Sequence, residues 1–142
     1  MSKFFKISEA GSLGFHALAI MARQPDHIHP VKSMADHLGK SHAHLAKVIQ
    51  CLAKAGLLDN SRGPNGGCRI KPQTLEANLF DIYEILEGDL DLNPCLFEEG
   101  SCDGICIFGS LVKEVTERIH EYFKSHTVRD MVCATKSSSC PF

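Results

Sequence analysis

Leu45-Ala-Lys-Val-Ile-Gln-Cys-Leu-Ala-Lys-Ala-Gly-Leu-Leu58, followed two residues later by Ser61-Arg-Gly-Pro-Asn-Gly-Gly-Cys-Arg-Ile70, decides how this chain is read. Leu45, Val48, Ile49 and Leu52 recur at three- and four-residue steps, the apolar stripe of a helix running from about His42 to Ala55. Gly56 ends it. Residues 57–61 read as a strand, 62–67 as a turn and 68–71 as the returning strand. Pro64 and the glycines at 63, 66 and 67 make a hairpin tip that can lie close to another surface.

Working outward, a short helix over Val31–Leu38 precedes this segment, with Val31, Met34, Ala35 and Leu38 on its apolar face. Gly39 suits a left-handed helix end, and Ser41 can cap the next helix. Two helices joined by a tight Gly-containing turn make a helix-turn-helix. A structural helical hairpin has the same pattern, but the basic hairpin that follows points to a winged helix. Upstream, Leu13, Ala17, Ile20 and Met21 mark a helix that begins near Ser8 or Ser12 and stops before Pro25. Residues 26–30 read as a loop with exposed histidines at 27 and 29.

Downstream, a fourth helix covers about Leu79–Leu86. A fifth, from about Phe108 to Ser125, carries Ile107, Leu111, Val115, Ile119 and Phe123 at four-residue steps, with Val112 and Tyr122 alongside. Such a helix can close a monomer core or pack on its twin in a dimer. The expected fold is mainly α with a small β-hairpin wing. Residues 1–78 form the winged helix-turn-helix domain, 79–132 a loop and dimerisation helix, and 133–142 a flexible tail.

Between the last two helices lies Asn93-Pro-Cys95-Leu-Phe-Glu-Glu-Gly-Ser-Cys102-Asp-Gly-Ile-Cys106. Its Cys-x6-Cys-x3-Cys spacing is too irregular for a core element. Soft thiolates select zinc, copper(I) and iron–sulfur centres, so three of them on one Gly- and acid-rich loop suit such a group. Three unrelated surface thiols would show the same spacing. Seven cysteines, an odd number at uneven intervals, argue against a disulfide framework. Cys51 and Cys68 fall near apolar faces and read as small buried residues.

The net charge of −2 conceals a division. Residues 1–75 hold ten Lys/Arg against four Asp/Glu, whereas residues 76–142 hold five against thirteen. A basic half joined to an acidic half suggests a polyanion-binding module attached to something else. Hydrophobic content of 44% with 23% charged residues excludes wholesale disorder. No apolar run approaches the ~20 residues of a membrane span. With no secretory pattern at the start, a cytoplasmic protein is expected.

With these residues in hand, the chain resembles the Rrf-type winged-helix regulators, IscR- and NsrR-like, over about residues 5 to 132. Leu45–Leu58, Ser61–Ile70 and the cysteine trio followed by a long helix carry the resemblance. It implies a homodimer that binds an inverted-repeat DNA operator and holds an iron–sulfur cluster on Cys95, Cys102 and Cys106. The IscR-like route to a fourth ligand, a histidine three residues after the last cysteine, is closed because that position is Gly109. The NsrR-like route, an acidic residue near the amino terminus donated by the other subunit, matches Glu9. An ordinary acid in a helix's first turn, where the dipole favours it, is the alternative to this preferred reading of Glu9 as a ligand.

A four-iron cluster is the first choice and a two-iron cluster the alternative. The spacing from the second to the third cysteine is shorter than the family's usual five residues, and Cys68 stands where an aromatic is common. The implied signal is nitric oxide, redox state or iron and cluster status. Ser41, His42, His44 and Lys47 are expected toward base edges, with Lys40, Arg62, Asn65 and Arg69 toward the backbone or minor groove.

A zinc-binding or thiol-redox regulator of the same fold remains open, because three Cys and a carboxylate suit tetrahedral zinc. An iron–sulfur electron carrier is the competitor from another class, but it has no need of a recognition helix. No phosphate loop, nucleophile elbow or His-x-x-x-His site points to an enzyme.

Overall fold

The computed structural model describes residues 5–90 and 104–137. Helices α1 (Glu9–Arg23), α2 (Val31–Leu38) and α3 (His42–Lys54) lead into the antiparallel pair β1 (Leu58–Ser61) and β2 (Gly67–Ile70). A 3-10 turn over Pro72–Glu76 connects to α4 (Leu79–Glu87), followed by α5 (Leu111–Ser125) and α6 (Val128–Ser137). The strands pair Leu58 with Ile70 and Ser61 with Gly67. This is the winged helix-turn-helix expected from the pattern.

Local chemistry sets the boundaries. The Ser8 hydroxyl accepts from the Gly11 N–H at 3.0 Å and so caps α1, and Ser41 caps α3 in the same way. Between α2 and α3 the chain turns through Gly39 at φ 63°, a left-handed conformation that glycine adopts without steric cost. One core then gathers Leu18, Met21, Leu45, Leu52, Ile70 and Ile82, all fully buried, from α1, α3, the wing and α4. A second cluster joins Phe80, Tyr83 and Leu90 to Phe5, Phe15 and Phe123.

Two expectations need correction, at His29 and at Cys51. His29 is buried rather than exposed. Its backbone bridges Cys68 in both directions, at 2.8 and 2.9 Å, and its ring Nε2 lies 3.2 Å from the Gln24 carbonyl oxygen. The segment before α2 thus adds a one-residue edge to the wing. Cys51 is exposed, turned away from the α3 stripe, with its thiol 3.7 Å from the Ile85 carbonyl. On α5 the inward positions are Val112 and Thr116, whereas Leu111 is 54% exposed and Ile107, just before the helix, 83%.

Helix α6 runs into the stretch expected as a flexible tail. Asp130 accepts from both the backbone N–H and the hydroxyl of Thr127, which organises the first turn. Val128 is fully buried, and its N–H donates to Ala77 at 3.1 Å. By packing on α1, α6 closes the winged-helix core from its far end. Val128→Ala should therefore lower stability by about 1–3 kcal/mol, the loss of two methyl groups plus a residual cavity. A fall in the urea midpoint at constant m-value would show it.

Candidate functional site

The recognition surface begins at the amino-terminal end of α3. Lys40, Ser41, His42 and Lys47 are exposed, and His44 is half-buried. Neither α2 nor α3 has an acidic residue in its first turn, so the positive ends of both dipoles are left uncompensated by their own side chains. Across a groove stands the wing, with Arg62 and Asn65 exposed near its tip. Pro30, Lys32, His42, Gln50, Arg62 and Gly66 are among the residues lining that groove. Arg69 is exposed on β2 but faces Asp59, 3.8 Å away, which offsets part of its charge.

Lys32 and Gln50 were not among the residues read from the sequence. Lys32 had a signal: a basic residue at a helix N-terminus opposes the dipole and calls for a nearby anion. Gln50 lies three residues after Lys47 on the exposed face of α3, where its amide can pair with a base edge.

Glu9 lies in the first turn of α1, beside the turn that leads into α3. Its carboxylate is exposed and accepts from Lys40 Nζ at 2.9 Å. That hydrogen bond first, then the Lys40 charge and the more distant His44, hold the Glu9 carboxyl below its ordinary pKa. The start of α1 is itself fixed by Glu87 at the end of α4, whose Oε1 accepts from the Ser8 N–H at 2.8 Å and the Ser8 hydroxyl at 2.7 Å. The Tyr83 hydroxyl donates to the Lys6 carbonyl at 2.9 Å, and Phe5 stacks on Tyr83 at 5.4 Å. The segment bearing Glu9 and the helix from which the cysteine loop departs therefore form one corner.

Cys106 is exposed ahead of α5. Cys95 and Cys102 lie outside the described residues. Among the described residues, no three His, Cys, Asp or Glu side chains converge as a metal site. The donor chemistry nevertheless suits an iron–sulfur group: Cys106 is an exposed thiol and Glu9 an exposed carboxylate. Cys68 does not belong to such a set. It is buried against Met21 Sδ at 3.7 Å and the His29 carbonyl at 3.6 Å, and burial pushes its thiol from 9.0 to about 11. A thiol kept protonated is a poor ligand.

The Rrf2 family profile, described as "Iron-dependent Transcriptional regulator", matches residues 7–134. The HTH-type transcriptional regulator NsrR of Shouchella clausii is 31% identical over 119 residues, covering 81% of this chain and 80% of that protein. The solved structure of T. potens IscR matches at 27% identity with a TM-score of 0.70, covering 95% of this chain and 93% of that one. The structure of CymR, the global cysteine regulator of B. subtilis, shares the fold with a TM-score of 0.75 at 24% identity, covering 92% and 98% of the two chains. No helix among the described residues is long and apolar enough to cross a membrane.

The buried thiol has a measurable signature. Because the Cys68 pKa is raised on folding, the unfolded chain releases this proton first. Its contribution to stability is intact below pH 9 and is lost as pH rises toward about 11, by up to about 3 kcal/mol. Cys68→Ala should flatten that part of the stability–pH curve. Tyr83, also pushed up by burial, titrates in both proteins, so the difference between them isolates Cys68.

Proposed function

This chain belongs to the Rrf2 family of transcriptional regulators, and on that footing we propose that it is a homodimeric, iron–sulfur cluster-dependent DNA-binding regulator. The observation that carries the DNA reading is the groove between α3 and the wing, where exposed Lys32, His42, Gln50 and Arg62 face one space. His42, Lys47 and Gln50 offer hydrogen-bonding groups to base edges, and Lys32, Lys40 and Arg69 offer charge to phosphates. Arg62 and Asn65, at the wing tip, suit the backbone or a narrow minor groove.

For the cluster, the proposed ligands are Cys95, Cys102, Cys106 and Glu9, with a four-iron cluster preferred and a two-iron cluster the alternative. Support comes from the family, from the exposure of Cys106 and Glu9, and from the withdrawal of Cys68 into the core. When bound, the cluster would supply a centre reactive toward nitric oxide, oxidants or iron loss. The chain's part is to hold the ligand-bearing segments in register with the reading head. Glu87 fixes the first turn of α1 against the end of α4, and α1 packs on α3.

The second-subunit arrangement is supported by apolar side chains that stand exposed among the described residues. Ile107, Phe108, Leu111 and Tyr122 are exposed along and just before α5, while Val112 and Thr116 face inward. Apolar side chains left exposed together at the entry to a helix and along one edge of it suit a protein partner.

Anaerobic purification followed by an absorption spectrum and iron and sulfide analysis tests the cofactor. Matched iron and sulfide with charge-transfer bands are expected, altered in Glu9→Ala and lost in Cys106→Ala. A colourless protein containing zinc, or no metal after anaerobic reconstitution, would overturn the cluster reading and leave the DNA reading intact. For the wing, Arg62→Ala should weaken operator binding about five- to a hundredfold and reduce the salt slope by about one unit. Unchanged affinity in a titration would remove Arg62 from the interface.

A further inference from the structure

Glu9 and Lys40 are separated by 31 positions in sequence, yet their side chains meet at 2.9 Å. One stands in the first turn of α1, the other in the turn that leads into α3. Lys40 is not a loosely placed cation. Its backbone N–H donates to the Ala35 carbonyl at 2.9 Å, and its neighbours are the left-handed Gly39 and the capping Ser41. A phosphate approaching the start of α3 would meet the positive end of that helix, which has no acidic residue in its first turn, and Lys40 together. While Glu9 holds Lys40 Nζ, that phosphate meets a neutralised pair.

We propose that the Glu9–Lys40 ion pair is an autoinhibitory latch: the carboxylate withholds Lys40 from DNA, and whatever engages that carboxylate elsewhere releases it. Both side chains are about half exposed, at 59% and 45%, so the pair is weak and can be exchanged without disturbing the core. A carboxylate oxygen that ligates a metal centre cannot at the same time neutralise Lys40 to the same extent. Ligation of Glu9 would therefore raise DNA affinity through electrostatics alone, without requiring movement of α3. That last step rests on Glu9 being a cluster ligand, as proposed above. The latch does not.

The latch is read on metal-free protein with a mixed-sequence DNA duplex of about 30 base pairs, long enough for two half-sites a turn apart. Binding to such a probe is dominated by phosphate contacts, so it reports Lys40 directly. Four proteins are compared by fluorescence anisotropy: wild type, Glu9→Gln, Lys40→Met and the double variant, each first shown by circular dichroism to melt like the wild type. Glu9→Gln should tighten binding about 2- to 5-fold at low salt, the range available from releasing an exposed ion pair. It should also steepen the dependence of log K on log salt by up to about one unit.

In the Lys40→Met background the same replacement should do almost nothing. An unchanged affinity in Glu9→Gln overturns the latch. So does an equal tightening with Lys40 absent, which would mean a general effect of net charge. Anaerobically loaded protein supplies the second arm. Loading should tighten binding in the wild type and should do so less in Lys40→Met; equal tightening in both would overturn the coupling. A protein that takes up no cluster fails the cofactor reading instead, and the metal-free cycle still decides the latch.

Discussion

The close approach of α1 to α4 is the constraint on which the rest of the molecule depends. A Cβ at Gly11 would run into the Glu87 carboxylate, and one at Gly14 would come within 2.6 Å of a Leu86 methyl carbon. The absence of side chains at these two positions lets the helices meet closely enough for Ser8 to bind Glu87 through both its N–H and its hydroxyl. A carboxylate at the last turn of a helix opposes the dipole of that helix. Here the unfavourable placement is offset by the two Ser8 donors at the N-cap of α1, so one residue ties two helix ends together.

Because α1 also packs against α3, α6 and β2, this corner fixes the recognition helix and the wing by direct contact. The start of α1 is connected to the surface of α3 and the wing by two routes. One is mechanical, through the buried Leu13, Ala17 and Leu18 face of α1 toward the core shared with Leu45 and Leu52. The other is electrostatic, through Glu9 and Lys40. The first route is stiff, since packed interiors resist graded deformation. The second is soft and responds to ionic strength.

The cysteines show how position, not residue type, assigns chemistry. Cys68 sits in the wing beneath the His29 bridge, where burial keeps its thiol protonated. Cys51 is exposed but rests against the α4 backbone. Cys106 stands exposed ahead of α5, beside the exposed Ile107 and Phe108. Among the described residues, these three cysteines occupy very different surroundings.

What the sequence determined by itself is the local part. The stripe Leu45, Val48, Ile49 and Leu52, the capping serines 8 and 41, Gly39, and the Gly- and Pro-rich turn each act within a few residues, so α1 to α4 and the wing were legible as pattern. Cys95, Cys102, Cys106 and Glu9 were legible as candidates through resemblance, because spacing survives without coordinates. Tertiary structure decided what depends on distant partners. His29 became buried because Cys68 offered it a backbone bridge, and α6 was anchored because Val128 found the α1 core. Leu111 turned outward because α4 took the Val112 face of α5 instead. The pairing of Glu9 with Lys40 carries no sequence signal at all: a charge on a surface turn finds its partner only when two helices have been packed.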